Sequence, residues 1–120
     1  MEFSDNKPIY KQIVEHFYSQ ILNEKWTEEE RVPSVREVAV LMEVNPNTAI
    51  RAFHELQEDD ILYNKRGVGY FVSENALQKV KEIKREEFME VKLPALFKDM
   101  EQLDISFSEL KELYETKKNQ

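Results

Sequence analysis

Cysteine is absent from the 120 residues, which excludes a disulfide framework and a thiolate metal site and suits a reducing cytoplasm, where the protein is expected to reside. Glycine is nearly absent as well. The only two, Gly67 and Gly69, stand two positions apart, so any need for glycine's backbone freedom is concentrated there. No apolar run approaches the roughly 18 residues that span a bilayer, and no basic-then-apolar leader opens the chain, so a soluble, unexported protein with no membrane partner is expected. Positive charge is in deficit: 17 Lys and Arg against 24 Asp and Glu leave a net −7. Taken alone, this argues against an anionic polymer as partner. Overall charge, however, governs solubility and long-range attraction, whereas docking depends on the charges that one face displays. Missing too are a nucleophile–base pairing, a glycine-rich phosphate cradle and a paired-carboxylate motif, so no enzyme activity, catalytic residue or cofactor is expected. His16 and His54 lack a ligand partner pattern, and the run TEEER (27–31) lacks the Asp/Asn/Gly spacing of a calcium loop. Both read as structural or solvated positions, and no metal site is expected.

What is present is helical periodicity with clear punctuation. In PIYKQIVEHFYSQILNEK (8–25), Ile9, Ile13, Val14, Phe17, Ile21 and Leu22 fall at helical spacing, with Pro8 suited to the first turn. Trp26 is expected to close the end of this helix against the core. In PSVREVAVLM, Ser34 and Glu37 form an S-x-x-E capping box ahead of Val38, Ala39, Leu41 and Met42. EVNP then makes a tight turn, with Asn45 as N-cap and Pro46 as first residue of a third helix reaching about Asp59. Two helices so closely joined form a helix-turn-helix. After the acidic stop EDD, ILYN and GYFVS are rich in β-branched and aromatic residues and flank KRGV, which predicts a β-hairpin with both glycines at its turn.

From Asn75 the helical period returns. Leu77, Val80, Phe88, Val91 and Ala95 make a narrow, coiled-coil-like stripe, and beyond Pro94 the apolar set moves to another face with Leu93, Leu96, Phe97, Met100 and Leu103. A kink or break is expected at Pro94. Ser106 and Glu109 offer a second capping box before a short last helix. Two separate stripes suggest one contact within the subunit and one with a second copy. The reading is therefore a mainly α (α+β) chain in two parts. Residues 1–74 form a winged helix-turn-helix with a two-stranded wing, and 75–120 form a short helical dimerisation tail. Leu77, Val80, Phe88 and Val91, with Leu96, Phe97, Met100 and Leu103, are the expected dimer residues.

Wound at about 100° per residue, the third helix puts Ala49, Ala52, Phe53 and Leu56 on its core side and Asn47, Arg51, His54 and Glu58 opposite, flanked by Thr48 and Glu55. Its N-terminal turns thus display Asn, Thr and Arg. Amides suit adenine edges, Arg suits guanine, hydroxyls suit phosphate, and the helix dipole adds attraction for phosphate. In a helix-turn-helix these first turns enter the major groove, while Glu55 and Glu58 lie farther back. Ser34 and Arg36 at the second helix start, and Lys65, Arg66 and Gly67 in the hairpin loop, supply two further elements with hydrogen-bonding or cationic groups.

RVPSVREVAVLMEVNPNTAIRAFHELQEDDILYNKRGVGYFVS (31–73) resembles the winged helix-turn-helix of GntR-type bacterial transcription regulators, and PIYKQIVEHFYSQIL resembles their first helix. The V-P-S-x-R start, the A-F-x-x-L helix and the G-x-G-x-F-V ending carry the likeness, and NPNT with the short tail resembles the YtrA-type branch. The resemblance implies a homodimer that binds an inverted repeat in double-stranded DNA and represses transcription. It also implies that Arg36, Asn45, Asn47 and Thr48 lie at the DNA, beside Ser34 at the same helix start, and that Lys65, Arg66 and Gly67 form a wing reaching a minor groove. Pro46 stands where many relatives carry a base-reading Arg, and Ile50 takes another such place. Asn47 and Arg51 are expected to substitute. Glu29 replaces a common glycine, for which a local loop adjustment is expected. The tail is too short to enclose a metabolite, and an effector, if one exists, is unknown. The competing reading is a winged-helix protein-interaction module without DNA binding, for which the acidity would be natural.

Overall fold

The computed structural model describes residues 7–120. Helix α1 (Ile9–Leu22) is preceded by Pro8, which stands as its N-cap rather than within its first turn; the Pro8 carbonyl accepts from the Lys11 and Gln12 N–H groups at 3.1 and 3.2 Å. Helix α2 (Val35–Leu41) opens on the capping box foreseen from Ser34 and Glu37: the Ser34 Oγ accepts from the Glu37 N–H at 3.1 Å, and the Glu37 carboxylate accepts from the Ser34 N–H at 3.2 Å. These bonds draw the Glu37 carboxyl below the ordinary carboxylate range, the backbone bond most of all. Helix α3 (Pro46–Glu58) starts where the Asn45 Oδ1 accepts the Asn47 N–H at 2.8 Å, with Pro46 filling a position whose N–H would have no partner.

Helices α1 and α2 both pack on α3, which also touches strand β1 (Leu62–Lys65). Ala49, Ala52, Phe53 and Leu56 of α3 are fully buried, the small alanines letting neighbours close in around Phe53. The Phe53 ring meets Phe17 at 5.3 Å and Tyr70 at 4.7 Å, both near edge-to-face, the arrangement that ring quadrupoles favour. Trp26 lies 4.9 Å from Phe17 and closes the end of α1 as expected. His16, half-buried beside Trp26, has its imidazole pKa pushed below the usual value by desolvation.

Strand β1 pairs antiparallel with β2 (Gly69–Val72), from Leu62 opposite Val72 to Lys65 opposite Gly69. The Val68 N–H bonds to the Lys65 carbonyl at 2.9 Å, and Gly67 sits third in that turn with φ +78°, the left-handed value such a position demands. The segment expected only as a solvated loop before α2 turns out to run along β2. The Glu29 N–H donates to the Val72 carbonyl at 2.8 Å, the Val72 N–H to that of Glu30 at 2.9 Å, and the Val32 N–H to that of Tyr70 at 3.0 Å, with Arg31 bridged to Phe71. Glu29 itself has φ +66°. The glutamate takes the left-handed conformation that glycine adopts without strain, and its carboxylate accepts from the Tyr63 hydroxyl.

Helices α1, α2 and α3 end alike. One residue past each C-cap, Glu24, Glu43 and Asp60 have φ of +55°, +54° and +59°. In each case that residue's N–H and the next one's turn back on carbonyls of the last turn, as Glu43 to Val40 and Val44 to Ala39 at 3.3 and 3.0 Å. This is the Schellman pattern, made here with acidic residues where glycine is usual.

The chain divides into two compact units at Glu82/Ile83, within helix α4 (Ala76–Glu87). In the first unit Ala76 and Val80 of α4 are fully buried. Val80, expected at the subunit contact, therefore has no surface to offer a second subunit, because it completes a core of its own. Leu77 is half-buried and lines a pocket of about 220 Å³ with Ile21, Trp26 and Val72. In the second unit the helix does not break at Pro94: a π-helical turn, Phe88–Lys92, in which the Leu93 N–H bonds to the Phe88 carbonyl, precedes it, and helix α5 (Leu93–Gln102) follows without interruption. A π turn changes the bonding register by one residue, which accommodates a proline that cannot donate. Helix α6 (Phe107–Lys118) has Ser106 as its N-cap, Oγ accepting from the Glu109 N–H at 3.1 Å.

Candidate nucleic-acid interface

Three elements carry the residues singled out for contact with DNA: the start of α2, the first turns of α3, and the hairpin loop. Arg36, Asn45, Asn47, Arg51, Lys65, Arg66 and Gly67 are exposed, and Ser34 and Thr48 half-buried. Two of them are committed in part to the fold. The Ser34 Oγ and the Asn45 Oδ1 accept helix N–H groups, so what each retains for a ligand is donor capacity, the hydroxyl hydrogen of one and the Nδ2 of the other. Both spare groups suit phosphate oxygens.

Asn47, Thr48 and Arg51 line one cleft of about 380 Å³ on α3, together with Ile9 and Tyr10 of α1. The Arg51 Cζ lies 3.9 Å from the centroid of the Tyr10 ring, close enough for the guanidinium to rest on its face. In the wing, the Lys65 Nζ is 4.7 Å from the Phe71 ring centroid. Space around Gly67 is open, whereas a Cβ at Gly69, whose φ is +144°, would come within 2.8 Å of the Arg31 Nε. Arg31 therefore lies across the base of the wing. Neither Tyr10 nor Arg31 was foreseen as part of this face. A signal for Arg31 existed in Gly69, since a glycine within a strand marks a close approach. Tyr10 gave none, because its link to Arg51 joins two helices 41 positions apart in sequence.

Ion pairing leaves the cations of these elements untouched, although the molecule as a whole stays anionic. Among the described residues of the first unit, the ion pairs are Lys7–Glu15 at 3.2 Å, Lys11–Glu55 at 2.7 Å and Lys79–Asp60 at 2.6 Å. No carboxylate there lies within ion-pair distance of Arg31, Arg36, Arg51, Lys65 or Arg66, although Arg31 is near enough to Glu37 to favour its charged form. The cations of α2, α3 and the wing thus stand uncapped although 13 acidic side chains occur in residues 1–73. A field of either sign is local at physiological salt, decaying over about 8 Å, so cations on these elements can attract phosphate on an anionic molecule.

The geometry is that of a winged helix-turn-helix, and comparison with known proteins agrees. The profile of the family described as "Bacterial regulatory proteins, gntR family" matches residues 9–72. The uncharacterized HTH-type transcriptional regulator YhcF of Bacillus subtilis is 34% identical over 111 residues, 92% of this chain and 90% of that one. The HTH-type transcriptional repressor YtrA of the same organism is 39% identical over 69 residues, 58% of this chain and 53% of its own length. Among solved structures, the AraR DNA-binding domain in complex with its operator superposes with a TM-score of 0.55 at 26% identity, covering 61% of this chain and 88% of that one. With the profile spanning more than half its length and a relative matching almost all of it, the chain belongs to the gntR family of bacterial regulatory proteins.

Proposed function

We propose that this GntR-family transcription regulator binds an inverted-repeat operator as a cytoplasmic homodimer and acts as a repressor, with residues 1–74 holding the DNA and the helical tail pairing two subunits. The observation that carries the DNA reading is the set of five uncapped cations on α2, α3, the wing and the wing's base. Arg36 and Ser34 are assigned to phosphates and the entry of α2, Asn47, Thr48 and Arg51 to base edges and backbone in the major groove, and Lys65, Arg66 and Gly67 to the minor groove. The open space around Gly67 suits close backbone approach. Repression is the activity printed in the name of the YtrA relative, and the operator complex of AraR supports DNA as partner.

The pairing of subunits is supported by the second unit's lack of an interior. No residue of 83–120 is buried, and Phe88, Val91, Phe97 and Leu103 are 43%, 62%, 54% and 67% exposed. Leu96 and Met100 are half-buried, and Phe97 and Met100 line an apolar groove with Pro94 and Ile105. Contiguous apolar surface of this kind marks an association site, and twofold pairing would present two recognition helices to a symmetric repeat.

The test is Arg36→Ala combined with Arg51→Ala. Salt-sensitive retention on DNA is expected to vanish while the hydrodynamic mass stays that of the starting protein. For about 8 neutralised phosphates, wild-type affinity is expected to fall on the order of a thousandfold or more between 50 and 200 mM salt. Retention unchanged by the double substitution would instead favour a protein-interaction module.

A further inference from the structure

Helix α3 places Glu55 four residues after Arg51, the spacing at which opposite charges on a helix pair with each other. They do not pair here. The Glu55 carboxylate is 2.7 Å from the Lys11 Nζ of α1, and no carboxylate among the described residues lies within ion-pair distance of Arg51. Glu55 is half-buried, so its charge is under-solvated and needs a near partner. Lys11 meets that need from outside the helix. The residue before it, Tyr10, carries the Arg51 guanidinium on its ring at 3.9 Å. Two consecutive side chains of α1 thus act on one arginine of α3, one taking away its natural anionic partner and the other supporting its flat face. A guanidinium held by its face keeps its N–H donors, which lie in its plane, available for a base edge.

Resting on the DNA-binding reading above, we infer that Tyr10 and Lys11 are positioning residues for base recognition, holding Arg51 free of Glu55 so that it can read a guanine in the major groove. Arg51 is the one cation of α3, and it lies one turn before Glu55 and two before Glu58, where it would be quenched without such a device. The inference also separates two roles for Lys11: a lysine that bound phosphate would add to affinity at every sequence, whereas one that occupies Glu55 affects one base position.

The experiment begins with wild-type protein selecting its site from random duplexes. Arg51→Ala then marks the position whose base preference it flattens, where a bidentate arginine gives about 5- to 150-fold discrimination. At that position Lys11→Met is expected to bring discrimination close to unity, with smaller change elsewhere in the site. Lys11→Met combined with Glu55→Gln, which removes the carboxylate one turn from Arg51 while Glu58 stays farther along the same cleft, is expected to restore it. Tyr10→Phe is expected to keep the preference and Tyr10→Ala to lose it. Circular dichroism melts confirm that each variant is folded. Unchanged discrimination in Lys11→Met, or no recovery in the double variant, overturns the inference, as does an Arg51→Ala protein that flattens no position. Failure of the wild type to enrich any site would sink the DNA-binding reading instead.

Discussion

At Glu43 the backbone sits at φ +54°, in a region where a Cβ is crowded, and the side chain is exposed and unpaired among the described residues. Replacing it with glycine should relieve that strain, partly offset by the greater freedom of glycine in the unfolded chain. Glu43→Gly is expected to stabilise the first unit by about 0.5–1 kcal/mol, seen as a rise of roughly 2–8 °C in the thermal midpoint. A midpoint that stays level or drops would show that the turn holds no strain. Single residues were the scale least open to reading in advance. The capping residues Ser34, Asn45 and Pro46 were legible because each satisfies its own neighbours, a local matter. Glu24, Glu43 and Asp60 were not, since in a chain with two glycines the usual mark of a helix end is missing. The ring of Tyr10 under Arg51 was illegible for a different reason: only the packing of α1 on α3 brings them together.

Among the elements, the wing rests on its neighbour at one glycine. Gly69 combines φ +144° with the Arg31 side chain lying where a Cβ would be. Gly69→Ala is expected to cost about 1–3 kcal/mol and to push Arg31 off the wing's base, readable as a lowered denaturation midpoint; a midpoint equal to wild type would mean the strand relaxes freely. The hairpin was visible in the sequence, because β-branched and aromatic residues on either side of a glycine turn leave few alternatives. Its third member was not. Residues 29–32 are two glutamates, an arginine and a valine, with no strand-like period, and they are held to β2 by main-chain bonds that any side chain permits. The π turn before Pro94 was hidden similarly: proline announces a disturbance, but whether a helix breaks or changes register depends on the surrounding turns.

For the whole molecule, the proposed pairing makes the tail the part that sets the working state. Phe97→Asp, at the apolar groove of α5, is expected to lower the sedimentation mass from dimer to monomer while the melting of the first unit is preserved. Loss of the second half-site contact should then weaken operator binding on the order of a hundredfold or more. A Phe97→Asp protein that stays dimeric would place the contact elsewhere. The division of the sequence into a patterned module and a stripe-bearing tail was plain from periodicity, but the assignment of stripes to surfaces was not, as the burial of Val80 shows.

That no residue of 83–120 is buried also bears on supply. Helices that hide nothing are marginal in water, so on this reading shape and companionship arrive together, and mass action ties both to how much of the chain is made. On the proposed pairing, a lone copy would leave greasy helices within reach of proteases, whereas a matched copy would hide them. The cell would then hold paired regulators and clear the unmatched surplus, and gene control would respond to changes in synthesis more steeply than in simple proportion.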